Sequence, residues 1–126
     1  MVAWTDYKMA ARERGSLALE FYVIESTPEH PEQLADTLPA HLAYQAEQEQ
    51  KGTLAFAGPL SDESGEEMNG SGLIIYRAPS LQAARAIAEA DPMHSTGTRR
   101  FTLRRWLVNE GSLQLDLKLS AQSIRL

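Results

Sequence analysis

Two residues of this 126-residue chain have the types and positions that proton transfer requires, His41 and Asp91. His41 falls three residues after Leu38 and beside Leu42, at the edge of the apolar face of a predicted helix. Asp91 follows Ala88 by three residues and Ala84 by seven, so it trails the apolar face of a second helix. A carboxylate bonded to one ring nitrogen fixes the imidazole tautomer and leaves the other nitrogen to accept a proton. Such a pair suits proton abstraction next to a leaving group, or acid–base isomerisation. It brings no nucleophile, so covalent hydrolysis fits less well. Glu20, Tyr22 and Arg104 are candidates to line the pocket and hold an oxyanion or phenolate. A plainer reading stands beside this one: an aspartate before Pro92 is often a turn residue accepting backbone amides, and a rim histidine is often a packing residue.

Other side chains are weaker candidates. His94, three residues beyond Asp91, is a second titrating group for the same pocket and a candidate substrate contact. His30, between Pro28 and Pro31, reads as a solvated loop residue. Three separated histidines and no cysteine argue against a zinc site, and Gly70-Ser71-Gly72 enters a strand rather than a helix, so it is no phosphate cradle. No cofactor or metal is expected. Arg99, Arg100, Arg104 and Arg105 form a basic cluster, but strand alternation puts Arg100 and Arg104 on one face and Arg99 and Arg105 on the other. Only Arg104, beside Trp106, is tied to a ligand.

The elements that must position these residues follow from periodicity. Residues 4 to 14 read as a short helix or arm stopped by Gly15. Ser16 to Ser26 alternates as a strand, with Leu17, Leu19, Phe21 and Val23 on its apolar face. Glu32 to Lys51 is helical, with Leu34, Leu38, Leu42 and Gln45 near one face; Pro39 predicts a kink, or a fresh start capped by Thr37. Thr53 to Leu60 is a second strand, Leu54 and Phe56 sharing a face, followed by a mobile polar connection from Ser61 to Gly72. Leu73 to Arg77, a helix from Pro79-Ser80 to about Ala90, and a strand from Arg99 to Val108 complete the set. Leu113, Leu115, Leu117 and Leu119 alternate as a fifth strand.

The order β-α-β-β-α-β is the ferredoxin-like arrangement, an α+β sandwich with two helices on one face of an antiparallel sheet. The other face is expected to carry Glu20, Tyr22, Ala55, Ala57, Ile74, Tyr76, Thr102, Arg104, Trp106 and Val108. Such a face is too apolar to leave wet, so a second copy is expected to cover it and make a homodimer. The fifth strand can add to an edge or cross to the partner, which leaves higher assembly open. A single domain over 1–126 is expected, with its core at about 16–110, an arm at 1–15 and an extra strand at 111–126.

Bulk properties narrow the function. A net charge of −5 argues against a general nucleic-acid binder. With no cysteine there is neither disulfide nor thiolate chemistry, which fits a reducing, cytoplasmic setting. No signal-peptide core or bilayer-length apolar run is present, so no membrane partner is expected, and Asn69-Gly70-Ser71 reads as a plain loop.

With the elements in this order, the sequence resembles the YCII-related family of dimeric α/β-barrel proteins. Leu38-Pro39-Ala40-His41-Leu42, Gly52 with Ala57-Gly58-Pro59-Leu60, and Ala88-Glu89-Ala90-Asp91-Pro92 carry the resemblance, which covers roughly residues 17 to 108. It implies a homodimer with a cleft on each subunit and a His/Asp site carried by His41 and Asp91. Some members are similar to ring-cleavage-pathway lyases that eliminate chloride from hydroxylated aromatics, and most have no assigned reaction. The family often has arginine three residues before the histidine; here that position is Leu38. Any charge for an anionic substrate must then be absent or come from Arg104. The expectation is a lyase- or isomerase-like enzyme acting on an unknown small molecule. The alternative is a non-catalytic ligand-binding or accessory dimer.

Overall fold

The computed structural model describes residues 1–125, which fall into two compact units, Glu20–Trp106 and Met1–Leu19 with the chain from Leu107 onward. In the larger unit the elements are β1 (Leu19–Pro28), α2 (Leu34–Lys51), β2 (Leu54–Ser61), β3 (Met68–Tyr76), α3 (Leu81–Ala90), the single turn α4 (Pro92–Ser95) and β4 (Arg99–Val108). The helix before them, α1, spans Trp4–Glu13. The sheet runs β2-β3-β1-β4, with β3 antiparallel to both β1 and β2. This is the ferredoxin-like β-α-β-β-α-β arrangement.

Local chemistry sets the helix boundaries. The Ser80 side chain accepts the Ala83 amide at 3.0 Å and starts α3. Leu81, Ala84 and Ala88 then recur at helical spacing and pack on the sheet. Gly52, at φ +80°, closes α2 in the left-handed conformation that a side chain would oppose. Pro39 neither breaks α2 nor marks a new start: the helix runs through it from Leu34, after a 3₁₀ turn at Pro31–Gln33. Thr37 is no cap; it is buried, and its hydroxyl bonds the Thr98 hydroxyl at 3.0 Å.

The core lies on one face of the sheet. Tyr22 and Ile24 of β1 pair across to Tyr76 and Ile74 of β3, and all four pack with Ala84 and Ala88 of α3. This overturns the expected parity, which put Tyr22, Ile74 and Tyr76 on the open face. β1 is apolar on both sides, so alternation alone could not choose the buried one; the larger side chains Tyr22 and Tyr76 went inward. A register shift between Leu54 and Phe56 also splits two residues expected to share a face. Leu54 stands opposite Tyr76 and Phe56 opposite Ile75. Ala57 lies opposite Ile74, on the core side. The placement of Arg104 and Trp106 on the open face agrees with expectation, as they line a groove there with Val23, Leu73 and Ile75.

Helix α2 differs most from its sequence reading. Leu34, Leu38 and Leu42 are 41%, 40% and 57% exposed, while Thr37 and Gln48 are buried. Its inward stripe is therefore polar: Thr37 bonds Thr98 across the unit, and Gln48 Oε1 accepts from the Thr53 hydroxyl at 2.6 Å just beyond the helix. Half of the connection from Ser61 to Gly72 is strand: β2 ends at Ser61, β3 begins at Met68, and in the turn between them the Asp62 carboxylate accepts the Ser64 amide at 3.0 Å and hydroxyl at 2.5 Å.

In the smaller unit, the Ser16 hydroxyl meets the Asn109 carbonyl at 3.2 Å. The expected fifth strand is reduced to β5 (Asp116–Lys118), paired antiparallel with β6 (Ser123–Arg125); Leu113, Leu115 and Leu119 lie outside it, exposed. No helix among the described residues is long and apolar enough to cross a membrane.

Candidate functional site

The end of α3 and the start of α4 share one residue, Asp91. Its backbone leaves the helix at φ −61°, ψ 125°, an extended conformation that Pro92 imposes on its predecessor. The Asp91 carboxylate then accepts the Met93 amide at 2.9 Å as the cap of α4. The same carboxylate reaches α2. His41 Nδ1 donates to it at 2.8 Å from Oδ1 and 3.0 Å from Oδ2. Asp91 is therefore at once a turn residue and the hydrogen-bond partner of His41.

Burial divides the pair. The Asp91 side chain has no exposure, whereas that of His41 is 20% exposed. A buried carboxylate with a backbone donor and an imidazole donor has its charge met on two sides. His41 Nδ1 is committed to Asp91, so Nε2 is the nitrogen left to exchange a proton with a ligand. Geometry thus supplies a tautomer-fixed imidazole at solvent contact, backed by a sealed acid.

Around the pair stand other polar groups of α2 and the sheet. The Tyr44 hydroxyl donates to the Ile87 carbonyl at 2.6 Å, and burial, then the nearby Asp91 and Glu47 charges, push its phenol up to about 12. The Gln45 amide, one helical turn on from His41, is buried with neither its oxygen nor its nitrogen hydrogen-bonded. The Tyr76 hydroxyl is likewise buried without a partner, and its phenol is raised by burial and by the Asp91 charge. Neither Gln45 nor Tyr76 was read from sequence as a site residue. The i, i+4 spacing of Gln45 from His41 carried the signal, but Gln45 was read as part of the leucine face and Tyr76 as part of the open sheet face.

The other expected contacts separate. Tyr22 donates to Glu20 Oε1 at 2.8 Å, and Arg105 Nε lies 3.5 Å from the same oxygen. Burial, then the bond to Glu20, raises the Tyr22 phenol. These groups are engaged with one another rather than with His41. Arg104 pairs with Glu25 across the open face of the sheet, away from the dyad. His94 comes close to the site but has no free edge. Its Nδ1 donates to the Ala88 carbonyl at 2.7 Å, and Nε2 lies 2.9 Å from the Ser26 hydroxyl. His30, 53% exposed, stands 3.3 Å from Glu32.

Two hollows lie elsewhere. The groove on the open face, about 340 Å³, is lined by Val23, Glu25, Leu73, Ile75, Arg104, Arg105 and Trp106. A second, about 370 Å³, is lined by Glu25, Thr27, Arg100, Phe101 and Thr102. Neither includes His41 or Asp91. Among the described residues no group of three His, Cys, Asp or Glu side chains is disposed to hold a metal ion.

A family model described as a YCII-related domain matches residues 20–107. The structure of 5-chloro-2-hydroxyhydroquinone dehydrochlorinase from Burkholderia phenoliruptrix AC1100, in complex with 2,5-dihydroxybenzoquinone, is similar at 24% identity and a TM-score of 0.51, covering 68% of this chain and 92% of its own. A crystal structure of an antibiotic biosynthesis monooxygenase has 14% identity and a TM-score of 0.42, covering 73% of this chain and 99% of its own. The first likeness is one of fold. No curated protein matches the sequence.

Proposed function

This chain belongs to the YCII-related family, and from that membership and the His41–Asp91 geometry we propose that it is a small-molecule enzyme of the lyase type. The observation that carries the reading is the two-oxygen grip of a fully buried Asp91 on the Nδ1 of a partly exposed His41. His41 Nε2 takes and returns the proton, and Asp91 stabilises the imidazolium formed in between. For a chlorinated hydroxyhydroquinone, the substrate class of the dehydrochlorinase that shares the fold, two proton movements suffice. A hydroxyl proton is relayed to the chlorine-bearing carbon. A second hydroxyl then loses its proton as chloride departs with the bonding pair. The net loss is HCl, and no oxidant is needed.

Chloride release from 5-chloro-2-hydroxyhydroquinone is the direct test, with other leaving groups on hydroxylated rings as the next substrates. His41→Ala and Asp91→Asn, made separately, should each lower turnover roughly 100-fold or more. Turnover that survives both changes eliminates the mechanism. A second reading is a ligand-binding or accessory module that uses the groups around His41 and Asp91 without chemistry. It is supported by Gln45 and Tyr76, whose buried and unpartnered polar atoms suit recognition of an oxygen-bearing ligand. Saturable binding of the quinone product without any release of chloride would favour it.

The open sheet face carries a related proposal: a second copy covers it. Phe56 and Trp106 are exposed there, beside the groove floored by Val23, Leu73 and Ile75. Sedimentation at low micromolar concentration should give a dimer, and Trp106→Glu should shift it to monomer. A parent chain that sediments as a monomer defeats this packing.

A further inference from the structure

The reaction scheme uses His41 and Asp91, yet a second polar chain lies behind them and takes no part in it. Its donors and acceptors are fixed by elimination. A carbonyl only accepts, so the 2.7 Å contact between His94 Nδ1 and the Ala88 oxygen is an N–H donation by the ring. Neutral His94 therefore presents Nε2 as an acceptor, and the Ser26 hydroxyl donates to it at 2.9 Å. The Ser26 oxygen in turn accepts from Arg99 Nε at 2.8 Å, while Arg99 Nη2 donates to the Ser26 carbonyl at 2.8 Å and to the Gly70 carbonyl. A serine hydroxyl beside an imidazole invites a nucleophile reading. Ser26 is only 4% exposed, however, and its oxygen is already engaged as both donor and acceptor. The arrangement holds something in place instead.

What it holds is the turn that carries Asp91. The His94 ring reaches back to Ala88 and so spans the turn on which Asp91 sits. The His94 amide meanwhile donates to the Asp91 carbonyl at 2.8 Å. Arg99 and Ser26 tie that bridge to β4 and β1. We propose that Arg99, Ser26 and His94 form a positioning relay that fixes the Asp91 turn and thereby keeps His41 in the tautomer that leaves Nε2 free. The proposal rests on the reading of His41 and Asp91 as the working pair. The relay requires neutral His94. A proton on Nε2 would deprive the Ser26 hydroxyl of its acceptor and set an imidazolium within the repulsion of Arg99 and His41, against the attraction of Asp91.

The test follows a proton rather than turnover, so the relay stands or falls separately from catalysis. Long-range proton–nitrogen NMR of the full chain resolves the His41 Nδ1–H and its exchange with water. Ser26→Ala should speed that exchange roughly tenfold, and Ser26→Thr, which restores a hydroxyl, should slow it again. Amide signals away from residues 88–99, His41, and the strand segments around Ser26 and Gly70 should stay in place. Unchanged exchange in Ser26→Ala overturns the proposal, as does a change spread over the whole spectrum, which would mark a merely structural clamp. A measurement on the parent chain covers the case in which Ser26→Ala does not fold. As pH falls, protection of the His41 proton should vanish together with the change of His94 Nε2 from acceptor to donor. Protection that outlasts His94 protonation also overturns the relay.

Discussion

Asp91 grips His41 Nδ1 with both carboxylate oxygens, at 2.8 and 3.0 Å, while one of those oxygens also caps the turn that follows. One side chain therefore serves the fold and the proposed chemistry. Asp91→Ala removes a cap and a charge-assisted bond together, and should cost about 2–4 kcal/mol. Asp91→Asn keeps an oxygen for the Met93 amide and should cost about 1 kcal/mol or less of the cap's share. Urea unfolding of the two variants checks this. Equal losses would mean that the cap contributes little.

Stability should also fall in mildly acidic solution because of His94. Burial holds its imidazole below the usual 6.5, against the opposing pull of the Ala88 carbonyl and the Asp91 charge. The unfolded chain therefore binds this proton at a higher pH than the folded one does. The stabilisation from neutral His94 is complete above pH 6.5 and is lost as pH falls from there toward the depressed folded value. Unfolding midpoints across pH 8 to 5 should decline in this window, and His94→Gln should flatten the decline. A parent and variant with parallel profiles would assign the slope to another group.

The sequence reading succeeded where one physical cause dominates, and failed where two compete. Asp91-Pro92 ends a helix because proline forbids its predecessor the helical conformation, so both the boundary and Asp91's place at the helix end were legible. The element order, and the meeting of His41 with Asp91 across two helices, were legible for the same reason. The inward face of α2 was not. Leu34, Leu38 and Leu42 make a regular apolar stripe, yet Thr37, His41 and Tyr44 are held inward by bonds to Thr98, Asp91 and Ile87 that no local pattern announces. The face of β1 was hidden because Phe21 and Val23 are as apolar as Tyr22 and Ile24. With that parity reversed, Ser26 lay on the wrong side and its bond to His94 could not be seen.

Two tyrosines near Asp91 should respond in opposite directions to loss of the hydroxyl. Tyr76 buries its hydroxyl without a partner, so Tyr76→Phe removes an uncompensated group and should raise stability by about 1 kcal/mol. Tyr44 donates to the Ile87 carbonyl at 2.6 Å, and Tyr44→Phe should lower stability by about 1 kcal/mol. Thermal unfolding of the two single variants decides the matter. A destabilised Tyr76→Phe would show that its hydroxyl has a partner in solution, such as a bound water.

Gly70 connects the hairpin to the relay, and its substitution should be felt in both. It sits at φ +88°, where a side chain is strained, and a Cβ there would lie 2.7 Å from the Pro28 ring carbon Cγ. A proline ring has little freedom to withdraw, so the strands must shift. Gly70→Ala should cost about 2–3 kcal/mol, above the roughly 1–2 kcal/mol of the backbone conformation alone. The Gly70 carbonyl also accepts from Arg99, so moving this strand pulls on the guanidinium that bonds Ser26. Asn, which tolerates positive φ, isolates the clash, because Gly70→Asn relieves the backbone strain but not the contact with Pro28. If Gly70→Asn is as stable as the parent, the steric argument fails and Pro28 gives way more easily than its ring suggests.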